Sequence, residues 1–295
     1  MPYDAHAAFI APARATAQVW RLLAGLVLIG VIILGLTALL RSAVVSLAGN
    51  AVHRDITRLE GAGSTQAGVL VLLYSFGIII LAVAMVTAQL HKRSPLTLLG
   101  PIPELLRQFG ATLAVLIALG AAIIILPPWG YTDPVVGGVA PLTWILLLPI
   151  SLGAVLVQTS AEEILFRGYI QQQLAARFRS PLIWLIAPSV LFGLLHYRPE
   201  TGANGVLIML WAGGFALIAA DLTARAGTLG PAIALHFMSN TSALLILSAD
   251  GSLSGLALFR LQVDMADPQA MRPYLLIDAM VIFVGWLAAR LAIRR

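Results

Sequence analysis

Eight apolar runs constrain the fold of this 295-residue chain more than any other feature. Each run has roughly 16–24 residues, and an α-helix needs about 20 apolar residues to cross the hydrocarbon core of a bilayer. The runs occupy 22–40, 67–90, 108–126, 142–159, 182–197, 205–220, 228–248 and 274–293. The pattern therefore predicts an all-α, polytopic membrane protein with about eight transmembrane helices.

The composition indicates lipid rather than water as the main solvent. Hydrophobic residues make up 60% of the chain and charged residues 11%, whereas a soluble domain carries roughly 25% charged residues. The polar stretches 41–66 and 249–273 are short enough to be loops, and no repeat or linker separates soluble units. We therefore expect one integral membrane domain over 1–295.

The basic residues indicate how the chain lies in the membrane. If the N-terminus is cytoplasmic, about two thirds of the 18 basic residues, Arg167 among them, fall in cytoplasmic segments, so the positive-inside rule places both termini in the cytoplasm. These residues lie at helix ends and form no long basic run. We therefore predict contact with the lipid bilayer and no nucleic-acid binding.

Polar side chains inside or at the ends of the apolar runs are concentrated in one third of the chain. An ionisable side chain in lipid costs about 2.5–3.5 kcal/mol, so such residues usually face the bundle interior and mark a functional site. The candidates are Glu162, Glu163, Arg167, His196, His236 and Asn240.

Two adjacent carboxylates end the fourth run, in the stretch SAEEILFRGY. At about 100° per residue, Glu163 and Arg167 share one helical stripe, whereas Glu162 points away from Arg167. Arg167 is therefore expected to hold Glu163 and to leave Glu162 free. The structural alternative is a capping box formed by Ser160 and Glu163 at the start of a surface helix.

The remaining candidates lie on two other helices. His236 and Asn240 are four residues apart and share one helix face, where interhelical hydrogen bonding is the structural alternative. His196 ends the fifth run, and a lone histidine there is often only an interfacial residue. Brought together, these groups would suit hydrolysis, with Glu162 as general base, His196 orienting water, and His236 with Asn240 donating to an oxyanion.

Three short motifs appear in order, EEILFR, FGLLH and HFMSN, on successive apolar runs. Together they resemble the Glu-Glu-x-x-x-Arg, Phe-x-x-x-His and His-x-x-x-Asn motifs of the CAAX-processing and bacteriocin-processing (Abi-like) protease family. The chain has no HExxH, GxGD or GxSG signature and no cysteine, so other protease mechanisms are not indicated. The resemblance covers about 142–248, which we take as the catalytic core.

The resemblance implies an eight-helix intramembrane endopeptidase whose six candidate residues line a cavity open to the cytoplasm. Family members are often named metalloproteases, although the eukaryotic and archaeal prenyl-protein enzymes resemble glutamate-dependent enzymes without metal. Catalytic zinc usually has three protein ligands, which Glu162, His196 and His236 could supply, but no i,i+4 histidine pair preforms such a site. We favour a metal-free mechanism without cofactor and keep zinc as the alternative.

The implied substrate is a membrane-associated peptide or protein. The alanine-, leucine- and arginine-rich composition suggests a bacterial inner membrane, where relatives are linked to peptide maturation, bacteriocin immunity and membrane-protein turnover. Two other functions remain open. The same cavity could serve a non-enzymatic scaffold, chaperone or bacteriocin-immunity protein, and buried charges could serve a transporter, although the chain lacks inverted repeats.

Overall fold

A computed structural model describes residues 3–58, 61–126 and 134–294. The chain is 80% helical with almost no strand, which confirms the all-α, polytopic fold class. The α-helices are α1 (Asp4–Ile10), α2 (Val19–Thr57), α3 (Gln66–Ser75), α4 (Gly77–Gln89), α5 (Ile102–Ile125), α6 (Pro141–Glu163), α7 (Gln172–Arg177), α8 (Pro181–Leu195), α9 (Asn204–Ala226), α10 (Gly230–Thr241) and α11 (Pro268–Ala292). A π-helix, Ile164–Gln171, joins α6 to α7, and another, Ser242–Ile246, follows α10.

Six helical segments in the described ranges are long and apolar enough to cross a membrane. They are Val19–Thr57, Gln66–Gln89, Pro95–Ile125, Pro141–Arg177, Asn204–Ala226 and Pro268–Ala292. The fifth and seventh apolar runs are also helical, but α8 has 15 residues and α10 has 12. Helix α10 continues directly into the π-helix Ser242–Ile246, and the outer face of α8 is apolar, with Leu182 67% and Leu195 68% exposed.

Two predicted boundaries are wrong. The stretch 41–66 was expected to be a loop, but α2 continues to Thr57, with one break at Gly49, whose φ of +84° is left-handed. The fourth helix was expected to end near residue 159, but helical backbone continues through the π-helix to Arg177. Hydropathy locates the apolar part of a helix and misses polar turns that extend it.

The outer surface of the bundle is apolar. On α2, Leu23 is 58% exposed and Leu34 is 73% exposed. A soluble protein rarely exposes continuous leucine and valine faces, whereas lipid tails solvate them without cost. The buried positions instead include polar side chains such as Gln158, Glu163 and Arg167. The chain is therefore an integral membrane protein whose apolar interior contains a few buried polar side chains.

Helix α10 lies inside the bundle and contacts α5, α6, α9 and α11. A short three-stranded sheet follows it, composed of β1 (Val135–Gly137), β2 (Leu247–Ala249) and β3 (Phe259–Leu261). Strand β3 is central, antiparallel to β1 and parallel to β2. The sheet ties the end of the α10 segment to the chain just before α6, which fixes these two helices relative to each other.

A buried histidine positions the π-helix that continues α6. The His91 ring, 2% exposed, forms hydrogen bonds with the Tyr169 hydroxyl at 2.8 Å and the Gln173 amide at 3.0 Å. Burial, assisted by the charges of Arg93 and Arg21, lowers the pKa of His91 to about 4, so the imidazole is neutral. The end of α4 therefore anchors the backbone immediately after the two glutamates.

Helices α8 and α9 cross closely at Gly193. A Cβ atom there would lie 2.7 Å from the Met209 carbonyl oxygen and 3.2 Å from the Gly213 Cα. Because both neighbours are backbone atoms, only glycine permits this approach. The crossing matters for the site because Gly193 lies between Phe192 and His196 on the same helix.

Gly193→Ala is expected to push α8 away from α9 and to lower the free energy of unfolding by about 1–3 kcal/mol, the usual cost of overpacking. The measurement is the thermal unfolding midpoint in detergent. Gly214→Ala is the matched control, because a Cβ at Gly214 meets no atom within 4 Å. Equal stability of the two variants would contradict the close crossing.

Candidate active site

A buried ion pair lies at the junction of α6 and the π-helix. Arg167 Nη1 donates to Glu163 Oε1 at 2.9 Å, and Arg167 Nη2 donates to the Ala216 carbonyl of α9 at 3.0 Å. Glu163 is 0% exposed and Arg167 is 1% exposed. The pair expected from the i,i+4 spacing is therefore present, but it lies in the bundle interior. The prediction that Arg167 lies in a cytoplasmic segment stays a prediction.

His236 of α10 completes this buried cluster. Its Nδ1 forms a 2.8 Å hydrogen bond with Glu163 Oε1, the same oxygen that accepts from Arg167. Since that oxygen belongs to a carboxylate paired with arginine, Nδ1 carries the hydrogen and donates it. Glu163 therefore holds His236 in one tautomer and one orientation, as a carboxylate does for an imidazole in many hydrolytic sites.

Glu162 is the second carboxylate and has a different environment. Its side chain keeps 13% exposure, and its Oε2 lies 3.5 Å from His236 Nε2. This contact does not have hydrogen-bond geometry, and within the described residues Glu162 Oε2 is buried without a hydrogen-bond partner. Arg167 thus binds Glu163 and not Glu162, as helical geometry predicts, and one oxygen of each carboxylate, Oε2, is buried without a hydrogen-bond partner.

His196 lies at the C-terminal end of α8, against Phe192. Its Nδ1 lies 2.8 Å from the Phe192 carbonyl oxygen, and the two rings stack with centroids 4.3 Å apart. A carbonyl can only accept, so Nδ1 bears the hydrogen and Nε2 of the neutral ring keeps its lone pair. The His196 ring thus presents an acceptor nitrogen rather than a donor.

Asn240 is bound to a residue that the sequence reasoning missed. Its Nδ2 donates to Gln158 Oε1 at 2.7 Å. Gln158 is 6% exposed and lies one helical turn before Glu162 on α6. The available signal was a lone amide four residues before Glu162 in an otherwise apolar run. Because an amide has two hydrogens, Asn240 retains one for another acceptor.

Aromatic rings enclose the charged cluster. The Arg167 guanidinium lies 5.0 Å from the Phe192 ring centroid. The Phe215 ring meets His236 edge-on at 4.8 Å, and Phe192 meets His236 at 6.3 Å. Phe192 therefore connects His196 on α8 with Arg167 and His236. These apolar walls lower the local dielectric and strengthen the interactions inside them.

The six predicted residues thus form one cluster of four, with His196 and Asn240 next to it. Glu163 contacts Arg167 and His236, and His236 also contacts Glu162; His196 stacks on the Phe192 ring that meets His236; Asn240 binds Gln158, one helical turn before Glu162. Both α6 and α10 change to π-helix at the site, at Ile164 and Ser242, and Arg167 lies in the first of these π segments. Such π turns often occur at functional sites.

Zinc stays the alternative to the metal-free prediction, with Glu162, His196 and His236 as the residues that would hold it. Among the described residues, no three His, Asp or Glu side chains are grouped so that they could hold a metal ion, whereas catalytic zinc usually needs three protein ligands. The Nδ1 atoms of His196 and His236 are used in hydrogen bonds, which leaves their Nε2 atoms and the Glu162 carboxylate as the groups that would hold zinc. We assign no step to a metal.

Arg167→Ala is expected to cost about 3–5 kcal/mol of unfolding free energy, because it leaves the Glu163 carboxylate buried without its cation. Thermal or denaturant unfolding in detergent measures this loss. Arg107→Ala is the control, since its pair with Glu104 has the similar i,i+3 spacing but is exposed, and no loss is expected there. Similar stability of both variants would contradict a buried pair.

Comparison with known proteins finds similarity in the same segment of the chain that contains the candidate site. Residues 142–242 match the family model of the type II CAAX prenyl endopeptidase Rce1-like proteins, and all six candidate residues lie within them. A Bacillus subtilis (strain 168) protein, named "Uncharacterized protein YyaK", is 29% identical over 116 residues, which are 38% of this chain and 38% of the relative. The chain thus matches over well under half the length of that relative. No solved structure matches. The match over 142–242 confirms the resemblance, drawn from the three motifs, to the Rce1-like type II CAAX prenyl endopeptidase family.

Proposed function

We propose that the chain is an intramembrane endopeptidase that hydrolyses a peptide bond of a membrane-associated peptide or protein. The observation that supports this proposal is the Glu162 carboxylate, which lies beside His236 without a hydrogen-bond partner in the described structure. A free carboxylate enclosed among held polar groups is suited to remove a proton from water. The match to a protease family over the same residues points to the same activity.

Water is the nucleophile in this mechanism. Glu162 takes one of its hydrogens, and His196 Nε2 accepts a hydrogen bond from the other, because Nδ1 of that ring is committed to the Phe192 carbonyl. The oxygen lone pair is then aimed at the substrate carbonyl carbon. Glu163 and Arg167 take no part in proton transfer. Their role is to hold His236 and to balance charge in the apolar interior.

Attack on the carbonyl produces a tetrahedral oxyanion, which needs hydrogen-bond donors. Asn240 has one amide hydrogen left after its bond to Gln158, and Gln158 fixes the direction of that hydrogen. His236 reaches the oxyanion only through Nε2, because Nδ1 donates to Glu163. It therefore donates only when Nε2 also carries a hydrogen. Asn240 is the donor available in either protonation state of His236.

The second half of the reaction returns the proton. The carbon–nitrogen bond of the tetrahedral intermediate breaks, and Glu162 transfers the proton that it took from water to the leaving amine. The products are a carboxylic acid and an amine, and Glu162 is again a carboxylate. No metal, covalent enzyme intermediate or cofactor enters this sequence.

We place both termini on the cytoplasmic side of a bacterial inner membrane. Arg14 precedes α2, Arg177 and Arg179 lie between α7 and α8, and Arg290 lies in the last turn of α11. Arg225 ends α9 and binds Asp221, which the Tyr3 hydroxyl near the N-terminus and Trp286 of α11 also contact. These contacts gather basic helix ends near both termini, as the positive-inside rule requires.

Glu162→Gln is expected to lower kcat for cleavage of a membrane peptide by about 100- to 10,000-fold, the usual contribution of a general base. The amide has almost the shape of the carboxylate, and Glu162 forms no hydrogen bond that the fold needs. Folding should therefore be retained. Mass spectrometry of the products from a library of membrane peptides, incubated with purified protein, measures the cleavage.

Glu200→Gln is the matched control, since Glu200 is exposed beyond α8 and, among the residues that the structure describes, pairs only with Arg198. Undiminished cleavage by the Glu162 variant would refute the proposal, and peptide binding without turnover by the wild type would support the non-enzymatic scaffold. Each assay includes a metal chelator. Wild-type activity that disappears with the chelator and returns with zinc would contradict the metal-free mechanism.

A further inference from the structure

A cavity of about 490 Å³ lies beneath α1, away from the candidate active site. Its walls are α1 and the following turn on one side, and the end of α7 with the start of α8 on the other. The lining residues that carry the argument are Tyr3, His6, Arg14, Arg177, Arg179 and Trp184. The volume is within the range of small-ligand sites, about 300–1,000 Å³.

The charged side chains that line the cavity are all basic. Arg14, Arg177 and Arg179 are all exposed at it, and none of them forms an ion pair or side-chain hydrogen bond within the described part of the chain. The described residues that line it include no aspartate or glutamate. Three arginines thus line the cavity with no carboxylate among its described lining residues, and guanidinium forks match the geometry of phosphate oxygens.

Asp221, which meets Tyr3 just before α1, is already neutralised by its partners. Asp221 accepts from the Tyr3 hydroxyl at 2.7 Å, and both its oxygens accept from Arg225 Nε at 2.9 Å. The Gln172 amide donates to the Phe9 carbonyl at 2.7 Å and holds the other end of α1. Helix α1 is therefore fixed over the cavity, so the site is formed before a ligand arrives.

The floor of the cavity contains a buried imidazole. His6 is 4% exposed, its ring lies 4.5 Å from the Trp184 ring, and its Nε2 has no hydrogen-bond partner among the described residues. Burial lowers the pKa of His6 to about 4, so the ring is neutral. An unpartnered polar side chain in an apolar floor is unusual in a folded protein and marks this position as a place for a ligand.

The position of the cavity in the protein indicates which class of ligand it binds. It lies at the turn between two membrane helices, where Pro141–Arg177 ends and α8 begins, and so at the level of the lipid headgroups. Apolar side chains of Ile10 and Phe178 stand next to the arginines. A basic rim beside apolar surface at this level is typical of a headgroup site for an anionic phospholipid. We propose that this cavity binds the phosphate of such a headgroup, independently of any peptidase activity.

The test is native mass spectrometry of the purified full chain, titrated with short-chain phosphatidylglycerol. The wild type should bind it saturably and prefer it to phosphatidylcholine. Arg177→Gln with Arg179→Gln should weaken binding about 30-fold, which corresponds to about 2 kcal/mol for two arginines at the membrane surface. Arg41→Gln with Arg272→Gln is the matched control, because both residues are exposed elsewhere, and should bind as the wild type does.

Unchanged affinity of the Arg177/Arg179 variant would overturn the proposal, and so would equal loss in the control variant, which would indicate general charge attraction. If inorganic phosphate competes as well as phosphatidylglycerol, the site takes free phosphate and the lipid assignment is wrong.

Arg14→Gln provides a second, milder variant if the double substitution impairs folding, as judged by its melting temperature. Its binding should also be weaker. Loss of lipid binding in an otherwise active protein leaves the peptidase proposal untouched.

Discussion

The site depends on the neutralisation of charge inside an apolar bundle. A carboxylate or a guanidinium alone in this interior would cost several kcal/mol, and the two together are tolerated only because their hydrogen bonds are well made. Glu163 receives Arg167 and His236 on one oxygen, and Arg167 reaches the α9 backbone with its other nitrogen. This single cluster joins α6, α9 and α10, so the same contacts that make the charges tolerable also set the relative positions of three helices.

The cluster assigns different roles to neighbouring residues of the same type. Glu163 Oε1 binds Arg167 and His236, whereas Glu162 forms no such bonds and only lies 3.5 Å from His236, although the Oε2 atom of each carboxylate is buried without a hydrogen-bond partner in the described structure. His236 is fixed by a carboxylate, whereas His196 is fixed by a backbone carbonyl and offers an acceptor nitrogen. The aromatic walls formed by Phe192 and Phe215 keep the region apolar. The proposed hydrolysis needs this division, because a general base must be available and its supporting groups must not move.

Local helix geometry was enough to predict part of this site. The Glu163–Arg167 pair follows from i,i+4 spacing, and the apolar runs identify all eight helices. The contact between His236 and Glu163 could not be predicted, because it depends on how α6 and α10 lie relative to each other. Gln158 was missed because one amide does not change the hydropathy of a long run.

The most direct measurement of the central claim is the melting temperature of two single variants, Glu162→Gln and Glu163→Gln, in the same detergent. The account predicts that Glu163→Gln lowers the melting temperature by at least about 5 °C, because Arg167 loses its buried counter-ion, while Glu162→Gln leaves it unchanged. Equal effects of the two substitutions, or a larger effect at Glu162, would contradict the assignment of Glu163 to structure and of Glu162 to chemistry.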